Sequence, residues 1–234
     1  MTTLKSLLLG MVAGLAITSA ARAELVVAGS VGGAPTGVTY ENFDGLPLGI
    51  AGGLTPSGVM VNFTPNAAAV QGSQANIYAA PFLSGGNGMG FGSPNQANGV
   101  DETTFLTTGS TGSMASAMIE LKLPDLQKYF GLLWGSVDDY NSLSFYNDNT
   151  LVGSITGADV TASPNGDRGV NGTLYVNINS TLDFNRVVAT SSQFAFEFDN
   201  VAFNRTPIPE PASLMLFGAG LLGLGMVMRK RRQA

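Results

Sequence analysis

Between Glu24 and Thr206 the apolar residues come in short alternating runs, and no stretch keeps a 3.6-residue period long enough for a useful amphipathic helix. Val59-Met60-Val61-Asn62-Phe63, Met118 to Leu123, Leu143 to Tyr146, Leu174 to Ile178 and Phe194 to Phe198 each fit a half-buried strand, with Gly, Asn, Pro and Ser between them. Leu25 to Ala28, Val38 to Phe43, Thr104 to Thr107, Tyr129 to Trp134, Leu151 to Ile155 and Arg186 to Ala189 are further candidates. Leu123-Pro124-Asp125-Leu126-Gln127-Lys128 reads as one helical turn at most. Many short strands separated by turn residues predict an all-β body, an antiparallel β-sandwich or jelly roll.

The last of these runs contains a change of phase. Phe194, Phe196 and Phe198 share one parity, whereas Val201 and Phe203 have the other, so a regular strand would send the two sets to opposite faces. A bulge near Asp199-Asn200 would reset the pleat and bring both sets to the core.

Both ends of the chain differ from this body. Lys5 is followed by an apolar run from Leu7 to Ile17, and Ala21-Arg22-Ala23 offers the small-x-small pattern of a signal-peptidase site, which predicts a signal peptide over 1–23 and a mature start at Glu24. At the other end Pro207-Ile208-Pro209-Glu210-Pro211 precedes an uncharged run from Ala212 to Met228 and then Arg229-Lys230-Arg231-Arg232. As a helix this run would span roughly 25 Å, near the lower limit for a single transmembrane helix. The basic cluster would then stop in the cytoplasm, leaving the rest of the chain outside. Pro209 and Pro211 fix φ and lack an amide hydrogen, so the approach to the span is extended and cannot continue a helix.

What lies between is a body of about 183 residues, enough for one domain with a full core. Lys5, Arg22 and the four terminal bases fall in the end segments, as does Glu210, so the body keeps 15 acids and 5 bases. A surface so acidic does not suit nucleic acid, whose phosphates need clustered Lys and Arg. With no cysteine the exported body relies on its core or on bound ions, and with no histidine it has no Ser-His-Asp or Cys-His machinery and no imidazole zinc site. Carboxylate chemistry and oxygen-ligand metals remain, and no DxDxDG calcium loop is present.

Pro209-Glu210-Pro211, a short span rich in Gly, Leu and Phe, and the terminal basic cluster resemble, in order and spacing, the PEP-CTERM sorting signal of Gram-negative bacteria. Tyr78 to Leu83, Tyr129 to Tyr146 and Phe196 to Phe203 also look like segments recurrent in exosortase-dependent surface proteins. The resemblance implies that exosortase, an integral-membrane cysteine protease, recognises the tail over 207–234 and processes it during export. The partners so implied are exosortase, the signal peptidase and export machinery, and the inner membrane.

Trp134, Asp138, Asp139, Tyr140 and Asn141 form the most chemical stretch of the body. Trp134 and Tyr140 could offer aromatic faces to a sugar ring, with Asp138, Asp139 and Asn141 bonding hydroxyls or an ion. Equally, Trp134 can belong to the core while Asp138 to Asn141 make a polar hairpin turn. A calcium site could draw on Asp199 and Asn200 at the bulge with Glu41 or Asp44, if the first and last strands pair. A glycosidase would need two carboxylates about 5 to 10 Å apart across a cleft, a spacing that sequence cannot set. The Gly/Asn/Ser-rich segment from Pro81 to Val100 has the length of a functional or mobile loop and no phosphate-binding motif. The expectation is therefore a non-catalytic, cofactor-free surface protein associated with extracellular polysaccharide or biofilm matrix. The alternative is a carbohydrate-binding module, with calcium as an optional ion.

Overall fold

The computed structural model describes residues 24–29, 33–84 and 99–208. In chain order the strands are β1 (Leu25–Gly29), β2 (Thr39–Glu41), β3 (Gly53–Leu54), β4 (Met60–Phe63), β5 (Ala67–Val70), β6 (Phe82–Leu83), β7 (Gly99–Val100), β8 (Phe105–Thr108), β9 (Met118–Trp134), β10 (Asn141–Asn147), β11 (Thr150–Thr156), β12 (Leu174–Ser191) and β13 (Glu197–Asn204). A single helical turn, α1 (Gly157–Val160), follows β11. All pairings are antiparallel, and eleven strands join one continuous sheet whose main path runs β11-β10-β12-β9-β13-β8-β5, with β1, β2, β3 and β4 attached beside it. The antiparallel all-β class expected from the alternating runs is thus the one observed.

The sheet makes two faces by folding over along its two longest strands. Phe130 pairs with Ile178, and Phe145 pairs with Val187, so their partners lie nine residues apart on β12. A straight strand would separate those partners by about 30 Å. Instead the Phe130 and Phe145 rings meet at 5.9 Å, and Phe184 packs 5.1 Å from Phe145. Register breaks where the bend must be: Asn179 opposes Tyr129 and Phe184 opposes Gln127, so residues 180–183 of β12 stand against Lys128 alone. On β9 the bend contains Pro124, which has no amide hydrogen for a ladder bond. Leu123 to Lys128 is accordingly the kinked middle of a strand and not the helical turn predicted. One buried cluster, including Val61, Ile119, Phe130, Trp134, Phe145, Phe184, Phe198 and Phe203, fills the space between the folded halves.

The bulge in β13 lies where the phase change predicts it. Phe198 opposes Trp134 and Asp199 opposes Leu133, but the next paired residue, Ala202, opposes Gly131; Asn200 takes φ 51°. Phe196, Phe198, Val201 and Phe203 are all buried as a result. Phe194 departs from expectation: it precedes the strand and is 53% exposed.

Both ends of the described body are fastened to the bend. The Glu24 amide donates to Thr181 Oγ1 at 3.1 Å, and Thr181 N donates to Glu24 O at 3.2 Å. Asn179 grips Ile208 in the same two-bond manner, with Nδ2 donating to Ile208 O and Ile208 N donating to Oδ1, each at 2.8 Å. Arg205 adds an ion pair to Asp125 on the kinked part of β9. Among the described residues no helix is long and apolar enough to cross a membrane. The expected span from Ala212 to Met228 lies outside them, as do Ala21, Ala23, Pro209, Glu210, Pro211, Arg229, Lys230, Arg231 and Arg232.

Candidate functional site

At the end of the sheet away from the bend, four loops surround a cleft of about 380 Å³. Its wall residues come from 76–79, the β9–β10 connection 136–140, the segment 165–168 and the approach to β13 at 194–197. The β9–β10 connection is held by Gly135 N donating to Glu197 O (2.9 Å), Val137 N to Gly172 O (2.8 Å) and Gly166 N to Val137 O (3.0 Å). Two wall residues, Asn76 and Ser136, take positive φ (61° and 40°), a costly conformation for residues with a Cβ that the surrounding hydrogen bonds impose. Gly166 is needed where it stands: at φ +67° a Cβ would lie 2.6 Å from Asp138 Oδ1.

The chemistry of the cleft centres on two buried carboxyls. Glu197 opens β13 and is 2% exposed; Oε1 accepts from Ala79 N at 2.8 Å and Oε2 from Ser136 Oγ at 2.9 Å. Burial pushes its pKa up to about 7 in spite of those donors, and the Asp138 charge pushes the same way. Asp138 is also raised by burial, opposed by the Tyr140 hydroxyl and the Arg168 charge. Burial and the Asp138 carboxyl hold the Tyr140 hydroxyl protonated well above its ordinary range. Around these, exposed Arg168, Asn76, Asn165 and the open Phe194 ring form the rim.

The predicted site residues divide accordingly. Asp138 and Tyr140 line the cleft; Asp139 is exposed and outside its lining. Trp134 is no platform for a ligand: it is fully buried, 4.4 Å from the Phe196 ring, and belongs to the core. Asn141 is fully buried at the start of β10 and also outside the lining. Sequence reasoning missed Glu197, which strict alternation with the phenylalanines sends outward, and Arg168 and Phe194, whose approach to Asp138 depends on the path of distant loops. The Asp138-Asp139 pair followed by an aromatic was the one legible signal.

The residues named for calcium do come close in sequence partners, since β2 pairs with β13 and Glu41 opposes Val201. The oxygens of two of them are engaged: Glu41 accepts from Phe43 N (2.8 Å) and Ser57 N (3.3 Å), and Asp44 from Thr104 N (3.1 Å) and Asn42 Nδ2 (2.7 Å). Asp199 is fully buried beside Asp101, and burial together with that neighbour raises its pKa. Among the described residues no three carboxylates converge closely enough to hold a metal ion.

Residues 207–232 match the family model of the PEP-CTERM protein-sorting motif, so the chain carries that motif in its tail, as the Pro209-Glu210-Pro211 resemblance implied. The motif supports an exported, membrane-associated precursor that exosortase sorts to the surface. No curated protein and no solved structure matches the chain.

Proposed function

We propose that this is a non-catalytic surface protein: exported by its N-terminal signal, held by its tail until exosortase processes it, and displayed in the extracellular polysaccharide or biofilm matrix. The observation that carries this reading is the sorting motif over 207–232. A non-catalytic role is supported by the state of Glu197. Both its oxygens accept hydrogen bonds from the protein's own Ala79 N and Ser136 Oγ and it is almost fully buried, so a substrate would have to displace one of those donors to reach it.

A second reading, that the body is a carbohydrate-binding module, is favoured by the cleft itself. An exposed phenylalanine and a tyrosine hydroxyl beside a carboxyl, an amide pair and a guanidinium combine an apolar surface for a sugar ring with donors and acceptors for its hydroxyls. The two readings are compatible, and glycan-array binding with and without a chelator separates a defined sugar site from general matrix retention and a calcium-assisted site from a metal-free one. Sorting is tested by the mass of the mature C-terminus in a surface fraction. Wild type should end near Pro209-Glu210-Pro211, Glu210→Ala should retain the tail, and an identical mature mass in both would refute exosortase processing at this motif.

A further inference from the structure

We propose that the bend of β9 and β12 is a lipid-facing surface on which the tethered precursor sits, with Asn179 as the residue that sets the body down; this rests on the sorting reading above. The sequence begins its uncharged span at Ala212, only four residues after Ile208, a reach of roughly 13 Å even when fully extended. Ile208 is pinned to the body by both hydrogen bonds of the Asn179 amide, and Arg205 by Asp125. The bend therefore cannot stand far from the bilayer while the tail is embedded. The other end of the body reports the same face independently. Glu24, the first residue after the predicted signal-peptidase cut, is bonded to Thr181, two residues from Asn179, so both membrane-directed segments leave from one place.

The side chains there suit a bilayer surface. Leu126 and Leu182 are 45% and 39% exposed, one on each of the two bent segments. The charged residues beside them are matched: Lys128 pairs with Asp183 and Arg205 with Asp125. On a body with 15 acids and 5 bases these two ion pairs lessen the repulsion by anionic headgroups at this end. Two leucines give a weak contact alone, and the short clamped tether supplies the local concentration that makes it persist. Asn179 is a positioning residue in this scheme, since it acts on the motif only by holding Ile208.

The chain has no cysteine, so single thiols report exposure without background. Full-length precursor, kept unprocessed by Glu210→Ala, is labelled in native membranes with a membrane-impermeant maleimide at Leu126→Cys, Leu182→Cys and Val170→Cys. Val170, 51% exposed near the cleft, is the reference. Positions 126 and 182 should label several-fold more slowly than 170, and Asn179→Ala should bring them up to the reference rate. Equal labelling at all three positions in membrane-bound precursor would overturn the seating, and slow labelling unchanged by Asn179→Ala would overturn the role of the clamp. Precursor that washes off membranes at high pH would instead overturn the tether, and with it the sorting reading.

Discussion

Replacing Glu197 by Gln should remove a defined part of the body's pH dependence. The carboxyl is 2% exposed, and burial moves its pKa from 4.5 to about 7. Because the folded value lies above the unfolded one, the unfolded chain gives up this proton first as pH rises. Stability from this group is therefore complete below pH 4.5 and is lost through pH 7. At 1.36 kcal/mol per pH unit, the loss comes to about 3 kcal/mol by pH 8. Asp138 and Asp199 are raised by burial as well, so the wild-type trend has the same sign and only the difference between proteins isolates Glu197. Glutamine keeps the shape: its Oε1 can accept from Ala79 N, while its Nε2 donates to a Ser136 hydroxyl that rotates to accept. Urea unfolding of the exported body at pH 4, 6 and 8 measures both proteins. The curves should lie together at pH 4 and separate progressively above it, with Glu197→Gln the more stable. Parallel pH profiles would show that Glu197 does not titrate in the folded state as its burial demands.

Two further outcomes follow from the same contacts. Phe145→Ala removes a ring packed on Phe130 and Phe184 across the folded sheet, and should cost about 3–5 kcal/mol in urea unfolding; a loss near the 0.5 kcal/mol of a surface site would refute the folded-over packing. Phe194→Ser opens the rim of the cleft without touching the core and should lower glycan retention in affinity electrophoresis while leaving the melting temperature in place; retention equal to wild type would remove the cleft from the sugar-binding reading.

The bulge at Asp199-Asn200 could be read because it leaves a mark in one dimension, the parity slip between Phe198 and Val201. The two long strands could not. Pro124 in β9 and the mostly polar residues 179–183 in β12 break the alternation, so each strand reads as two: Met118 to Leu123 with Tyr129 to Trp134, and Leu174 to Ile178 with Arg186 to Ala189. Those breaks are the bends that close the fold, and a bend in a strand looks in sequence like a loop between strands. Trp134 was ambiguous because an aromatic at a strand end packs inward or outward according to its neighbours, and here Phe196 claims it. Glu197 was invisible for a related reason. Alternation counts two faces, but the second face of β13 is covered by Ala79 and Ser136, from parts of the chain 118 and 61 residues away. The grip of Asn179 on Ile208 likewise joins positions 29 apart, with no local motif to announce it.

β13 ties the two ends of the body into one orientation. It begins at Glu197 in the cleft and ends at Asn204, four residues before the clamped Ile208, and β9 runs beside it in the opposite sense from Gln127 at the bend to Trp134 near the cleft. With the bulge in β13, the length is read from its partner: Trp134 to Tyr129 is five steps of β9, roughly 17 Å at about 3.3 Å per residue. With the bend on the bilayer, the cleft opens away from it by that distance, well beyond a Debye length of about 8 Å at physiological salt, so headgroup charge is screened there. A polysaccharide approaching from outside would then meet Phe194, Tyr140 and Arg168 before it met lipid. On that geometry tail processing frees the body from the membrane without being needed to uncover its binding end, because tether and cleft occupy opposite ends of the same strand.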